Sequence, residues 1–252
     1  MKVSIITVSL NSSKSILRTI KSVNDQEYHN IEHVFIDGNS EDNTTEIIRR
    51  NSTRTNTIVI EPDNGIYDAM NTGIRMASGN IIGILNSDDV FASNNIISNI
   101  VKRFEGTNID GVFANITYVN RYNQTVRCWN SSEFMKNSFS DGWHPPHPSL
   151  FLKKEVYLVC GLFDMNFKIA ADFEFMLRIF EKSDLDIKFM NETVVNMLVG
   201  GKSNTLKGII QGNSEIKLAF EKNGIARNKF YFIRRYFYKF YDVILLKWFY
   251  EN

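Results

Sequence analysis

The sequence predicts an α/β protein built on a mainly parallel, doubly wound central sheet. Three observations carry this. Strand-like runs alternate with segments of helical periodicity four times in the first hundred residues, the connections are short, and polar residues gather where each strand run ends. With 252 residues, 43% hydrophobic and 23% charged, the chain suffices for one packed α/β domain and a short appendage.

Val3 to Val8 is a β-branched run that reads as a buried strand. Asn11-Ser12-Ser13 offers capping side chains before a helix carrying Ile16, Leu17, Ile20 and Val23. The second strand, Ile31 to Ile36, ends at Asp37-Gly38, and Ser40 and Asp42 precede a helix through Ile47 and Ile48. The third, Thr57 to Ile60, runs into Glu61-Pro62-Asp63-Asn64-Gly65, ahead of a helix from about Ile66 to Ala77. The fourth, Ile81 to Leu85, ends at Asn86-Ser87-Asp88-Asp89, with a helix beginning near Ser93. Ligands of such sheets bind beyond the carboxyl ends of the strands. Asn11, Asp37, Asp63, Asp88 and Asp89 all fall on that rim.

Beyond residue 105 the pattern is less regular. Gly111–Val119 and Thr125–Trp129 read as strands, and Ser131–Trp143 as a loop carrying aromatics. His144-Pro145-Pro146-His147-Pro148 reads as rigid and non-helical, and Ser149–Leu152 as a short strand. Asp172, Phe173, Met176, Leu177 and Phe180 have helical spacing, with Asp172 near the helix start.

Composition excludes several function classes. A formal charge of +1 is not the basic balance of a dedicated nucleic-acid binder. Cys128 and Cys160 form neither a disulfide framework nor a metal-ligand spacing, which points to a reducing compartment. The N-terminal residues run straight into a strand with no secretory signal pattern, and no apolar run approaches the roughly 18 residues of a spanning helix. The expected location is the cytoplasm, against the inner face of the cell membrane.

Two adjacent carboxylates at a strand end, Asp88 and Asp89, repel each other unless a cation sits between them. Mg²⁺ or Mn²⁺, held by the carboxylates and by phosphate oxygens, is one resolution; a solvated turn or helix cap is the other. Asp37 at its strand end suits either a turn or acceptance of the imide N–H of a uracil ring. Asp172 suits a helix cap or a general base. His147 beside prolines suits a metal ligand, a diphosphate contact or a packed loop residue.

The ordered set of segments resembles family 2 glycosyltransferases. It comprises Ser4–Asn11, Ser22–Tyr28, Glu32–Ser40 with Asp42 and Thr44, Glu61–Asn71, Gly79, Leu85–Asp89, His147–Phe151, Gly161–Asp164, and Ala171–Phe175 with Arg178. The resemblance covers roughly residues 1–205. It implies a GT-A fold, with a Rossmann-like central sheet flanked by helices and a C-terminal helical tail. Residues 1–205 would be the catalytic domain, with a nucleotide-sugar half (1–105) and an acceptor half (106–205), and 206–252 the tail.

The same resemblance implies site residues. Thr7, Val8 and Asn11 would contact the nucleotide, with Asp37 on the uracil. Asp63, Tyr67, Asp68 and Asn71 would line the nucleotide-sugar pocket. Asn86, Ser87 and Asp88 would meet the ribose or diphosphate. Asp88 and Asp89, joined by His147, would hold Mn²⁺ or Mg²⁺. Asn86 replaces the first carboxylate of the fuller Asp-x-Asp-Asp motif and brings no charge. Apart from the resemblance, Gly200-Gly201-Lys202-Ser203 suits either a loop closing over the diphosphate, with Lys202 as counter-charge, or an ordinary surface loop. Asp172 would be the base of an inverting displacement, with Trp143 and His144 near the acceptor. The implied reaction moves a hexose (glucose, galactose or an N-acetylhexosamine) from UDP to a saccharide on polyprenyl diphosphate, in O-antigen, capsule or exopolysaccharide synthesis. A nucleotidyltransferase is the competing enzyme reading, although Ser9-Leu10-Asn11-Ser12 is not the Gly-rich basic loop a triphosphate needs. A non-catalytic saccharide-binding module is the third. The oligomeric state stays open.

From Asn228 the composition turns basic and aromatic. Residues 222–252 hold seven basic groups (Lys222, Arg227, Lys229, Arg234, Arg235, Lys239, Lys247) and two acidic ones (Asp242, Glu251), a balance of +5. That mixture suits an anionic membrane surface; a helix packed on the domain or on a dimer partner is the alternative.

Overall fold

The computed structural model describes residues 1–200 and 205–236. Its elements follow in chain order as β1 (Val3–Ser9), α1 (Ile16–Asn24), β2 (Ile31–Asp37), α2 (Thr44–Asn51), β3 (Thr55–Ile60), α3 (Ile66–Met76), β4 (Ile81–Ile84), β5 (Val90–Phe91) and α4 (Ile96–Phe104). After these come β6 (Gly111–Val119), β7 (Thr125–Trp129), β8 (Phe151–Lys153), α5 (Lys154–Cys160), α6 (Ala171–Glu181), β9 (Ile187–Leu198) and α7 (Leu206–Asn223).

One sheet runs β3-β2-β1-β4-β8-β6-β9-β5, with β7 paired to β6. β1, β2, β3 and β4 are parallel. β8 is antiparallel to both β4 and β6, so β6 points the same way as β4, and β9 runs parallel to β6. Only β5, β7 and β8 oppose that direction. The mainly parallel sheet expected from the sequence is therefore present, and its strand ends share one rim.

β1 and β2 are buried along their whole length, which is why they read as apolar runs rather than as alternating ones. The two-residue period still sorts their side chains. Ile6, Val8, Val34 and Ile36 join the core beneath α3, α5, α6 and α7, while Val3, Ile5 and Ile31 join that beneath α4. Gly73 lets α3 lie against β1, because a Cβ there would come within 2.3 Å of Ile6. Gly83 of β4 makes room for the Phe151 ring, which would stand 2.3 Å from a Cβ.

Local differences from the sequence reading have identifiable causes. α1 starts at Ile16, and the Asn11 side chain accepts instead from the Glu41 N–H (3.0 Å), joining the β1 and β2 loops. Residues 147–149 form a 3-10 turn with Pro148 near its start, so the strand expected from Ser149 begins at Phe151. β9 has no counterpart in that reading, nor do α5 and β5. The expected boundary at 205/206 runs across a packed interface. Thr205 caps α7, which inserts Ile216, Ala219 and Phe220 into the main core. Residues 231–236 are helical, and Tyr231 is fully buried against Phe173 and Phe220. The start of the basic-aromatic segment thus packs on the domain. Residues 237–252 lie outside the described residues.

Candidate active site

Four strand ends and the head of α6 meet on one rim. Asp37 closes β2 with a fully buried carboxylate. Its Oδ2 accepts from the Ser9 (2.6 Å) and Ser40 (2.8 Å) hydroxyls, and its Oδ1 from the Ser40 N–H (2.7 Å). Asp37 therefore fastens the β1 and β2 ends together, and its expected contact with a uracil ring is corrected: both oxygens are engaged and out of reach. The carboxylate that reaches the surface here is Asp63. Its Oδ1 accepts from the Gly65 N–H (2.8 Å), and its Oδ2 lies 2.6 Å from where a Gly38 Cβ would stand. Leu10, 53% exposed, flanks the same glycine.

The β1 side chains are also placed differently from the expectation. Thr7 is buried and bonds through Oγ1 to His33 Nε2 (2.9 Å), and Val8 belongs to the core. Neither side chain faces a nucleotide. The reason is that β1 is central in the sheet and covered on both faces.

At the β4 end Asp89 is fully buried, while Asp88 is half-buried. Asp89 Oδ1 accepts from the Leu198 N–H at the end of β9 (3.3 Å), and Oδ2 from Asn86 Nδ2 (3.2 Å). Burial, then the Asp88 charge, pushes the Asp89 carboxyl up to about 7, and burial raises Asp88 as well. The Asn86 Oδ1 is buried without a donor, and Ser87 Oγ meets Ser12 Oγ (2.8 Å). A raised carboxyl pair beside an unpaired carbonyl oxygen is a donor set that a hard divalent cation fits. Among the described residues no group of three or more His, Cys, Asp or Glu could hold a metal. A cation here would draw its remaining ligands from substrate oxygens or water. Lys202 lies outside the described residues.

His147 places its Nδ1 3.2 Å from Asp172 Oδ2, while its Nε2 is buried without a partner and the ring also acts on the Asp89 carboxyl. Asp172 Oδ1 accepts from the Tyr67 hydroxyl (3.0 Å), which also reaches the Ile169 carbonyl (2.8 Å). Burial would raise the Asp172 carboxyl, but the His147 ring, the Phe173 N–H and the Tyr67 hydroxyl together hold it below the ordinary carboxylate range. The Asp172 side chain stays 24% exposed at a small crevice shared with His147, Ile84, Leu150 and Met176. The sequence placed Tyr67 with the donor pocket; it is the α3 contact to the Asp172 carboxylate.

Four further expected site residues make structural contacts. Asn71 spends its amide on the Phe163 main chain, donating to the carbonyl and accepting the N–H (both 2.9 Å), so it clamps a loop rather than lining a pocket. Asp68 accepts from the Asn64 N–H and Nδ2 (3.0 Å each), closing the turn before α3. Trp143 stands among Phe113, Phe134, Phe139 and Phe180, and His144 lies between Trp129 (5.0 Å) and Phe173 (5.5 Å). His144 is thus one ring away from the residue after Asp172. Leu198 and Glu215, which the sequence reading did not single out, are engaged near this rim through the Asp89 carboxylate and the 168–170 main chain.

The strands of this rim and the acidic pair beyond β4 lie within residues 4–163, which match the model described as glycosyl transferase family 2. The chain belongs to that family. An uncharacterized glycosyltransferase of Mycobacterium tuberculosis, Rv1514c, is 34% identical over 178 residues, covering 70% of this chain and 68% of the relative. The Escherichia coli enzyme WfgD, a UDP-Glc:alpha-D-GlcNAc-diphosphoundecaprenol beta-1,3-glucosyltransferase, is 33% identical over 119 residues, 47% of each chain. Among solved structures, S. aureus TarS 1-349 in complex with UDP-GlcNAc superposes with a TM-score of 0.68 at 16% identity, covering 87% of this chain and 66% of that one. The mannosyltransferase PcManGT of Pyrobaculum calidifontis, in complex with GDP-Man and Mn²⁺, gives 0.64 at 19%, covering 88% and 64%. Against the longer TarS crystal structure this chain spans 37% of the length. These structures establish the GT-A fold of this family 2 chain.

Proposed function

We propose that this family 2 chain is an inverting transferase that moves a hexose from a UDP-sugar to a saccharide carried on a polyprenyl diphosphate, with Asp172 as the base. The observation that carries the reading is Asp172 itself: a partly open carboxylate kept ionised and oriented by Tyr67 and His147. The acceptor hydroxyl attacks the anomeric carbon on the face opposite UDP. The bond from that carbon to the β-phosphate oxygen breaks, its electron pair leaves on that oxygen, and the hydroxyl proton passes to Asp172. One base suffices, and no covalent sugar–enzyme intermediate is needed.

Asp63, beside Gly38 and Leu10, is the acceptor for the base imide, since Asp37 is occupied. Asn11 belongs to the same rim. Asn86, Ser87 and Asp88 face the ribose and diphosphate. Asp88 and Asp89, with the unpartnered Nε2 of His147 as a further candidate ligand, would hold a divalent cation, and the cation would neutralise charge growing on the departing diphosphate. Trp143 and His144 shape the acceptor side from within the aromatic cluster. The polyprenyl-linked acceptor takes its support from WfgD and from the basic, aromatic residues at 229–236. Phe230 and Ile233 are 59% and 69% exposed there, next to Lys229 and Arg234. Such a surface suits peripheral contact with an anionic membrane. No described helix is long and apolar enough to cross one.

The test is release of nucleotide from a panel of UDP-, GDP- and dTDP-sugars with Mn²⁺, using wild type, Asp89→Ala and Asp172→Asn. Metal-dependent release from a UDP-hexose is expected, falling about 10²–10⁴-fold in Asp172→Asn. UDP binding by calorimetry runs alongside. Absence of both turnover and UDP binding in the wild type would reject the proposal.

A further inference from the structure

α6 begins without a cap of its own. The residue before its first turn is Ala170, whose methyl group cannot accept a hydrogen bond. The loop that leads into it is held from α7. Glu215 Oε2 receives three consecutive backbone N–H groups, from Lys168 (3.0 Å), Ile169 (2.8 Å) and Ala170 (2.9 Å). Its other oxygen accepts from Gln211 Nε2 one turn earlier (2.9 Å), which fixes the rotamer. One turn away, Gly212 brings α7 against the same loop; a Cβ there would lie 3.2 Å from Ile169 Cγ2. A carboxylate in this place also complements the positive end of the α6 dipole.

The gripped loop leads directly to Asp172. Ile169 donates its N–H to Glu215 and accepts the Tyr67 hydroxyl at its carbonyl, and that hydroxyl also reaches Asp172 Oδ1. The Glu215 carboxylate and the Asp172 carboxylate are thus joined through one residue's peptide groups and one phenol. We propose that Glu215 is a positioning residue for the transfer reaction, acting through the 168–170 loop and Tyr67 to set the place of the Asp172 carboxylate. The inference rests on Asp172 being the base. It also makes α7 part of the catalytic machinery, where composition alone assigned it to a tail.

The experiment compares Glu215→Ala and Glu215→Gln in the full chain, reading kcat and KM on the donor the wild type turns over, together with UDP affinity. Glu215→Gln keeps a carbonyl acceptor and is expected to stay within about threefold of wild type, while Glu215→Ala should lose about tenfold or more in kcat with KM and UDP affinity within about twofold. Adding Glu215→Ala to Asp172→Asn should cost little further, because the two act on one group. An unchanged kcat in Glu215→Ala, or a loss equally large in both backgrounds, would overturn the inference. If Asp172→Asn keeps wild-type kcat, it is the base reading that fails. Gly212→Ala keeps the carboxylate but crowds Ile169; if Glu215→Ala does not fold, a kcat loss in Gly212→Ala at unchanged KM supports the inference and wild-type kcat overturns it. Amide exchange at residues 168–170 is independent of turnover: faster exchange in Glu215→Ala is expected, and unaltered protection would remove the structural basis.

Discussion

At the scale of the residue, the charge state of Asp172 is decided by its neighbours. Burial raises its carboxyl, and the His147 ring is the largest of the groups that reverse this. A depressed carboxyl contributes stability that is complete above its ordinary range and is lost as pH falls through the lower, folded value. The same shift keeps the base ionised in mildly acidic solution. His147→Ala removes that support and leaves burial in place. The acid limb of the kcat–pH profile is then expected to move to higher pH, with acid unfolding also beginning at higher pH. A limb that stays where it was would show that His147 does not act through Asp172. Asp63 and Asp37 make a related point, since the same residue type one strand apart is half-open in one case and locked in the other.

At the scale of the element, Asp89 couples three chain segments. Its side chain receives the Leu198 N–H at the end of β9, and its carbonyl accepts the Thr19 hydroxyl of α1 (2.8 Å). The cost appears in its protonation. With the carboxyl raised to about 7, the folded chain binds a proton that the unfolded chain releases near the ordinary carboxylate range, about 4. Stability from this group therefore falls as pH rises from about 4 towards 7. In chelator, Tm is expected to decline over that window and to decline less in Asp89→Asn. Mn²⁺ should raise Tm more at pH 8 than at pH 5, because a cation favours the ionised pair. Equal Mn²⁺ shifts at the two pH values would count against a cation at Asp89.

For the whole molecule, residues 228–235 tie the C-terminal segment to α6, α7 and the 141–142 turn. Tyr231 fills the space between Phe173 and Phe220, and the Arg235 guanidinium lies 5.9 Å over the Phe173 ring. Asn228 and Arg234 bind Asp141, beside Gly142 (φ +99°), where a Cβ would lie 3.1 Å from the Arg235 backbone nitrogen. Tyr231→Ala is expected to cost about 3 kcal/mol and to lower Tm by roughly 6–12 °C. Replacing the exposed pair, Phe230→Ser with Ile233→Ser, should leave Tm nearly unchanged and weaken binding to phosphatidylserine vesicles. Unimpaired vesicle binding would remove this surface from the membrane contact.

The sequence by itself determined the parallel half of the sheet, the rim on which the polar residues gather and the family. The sheet and the rim are written in local pattern (buried β-branched runs, helical spacing, and acidic residues at strand ends), and the family in the resemblance carried by the ordered set of segments. It also brought Asp172 to the head of a helix and Asp88 and Asp89 to the end of β4. Tertiary structure alone decided what each carboxylate faces. Asp37 is consumed by Ser9 and Ser40, His147 Nδ1 meets Asp172, Asn71 clamps Phe163, and Glu215 holds the loop that leads into α6. β9 escaped the sequence reading because its pairing with β6 spans about 75 residues and shifts register twice near Asn115. The physical reason is common to all of these. Periodicity reports which face of an element is buried, whereas hydrogen-bond partners and charge neighbours are set by residues far apart in the chain, which meet only when the elements pack.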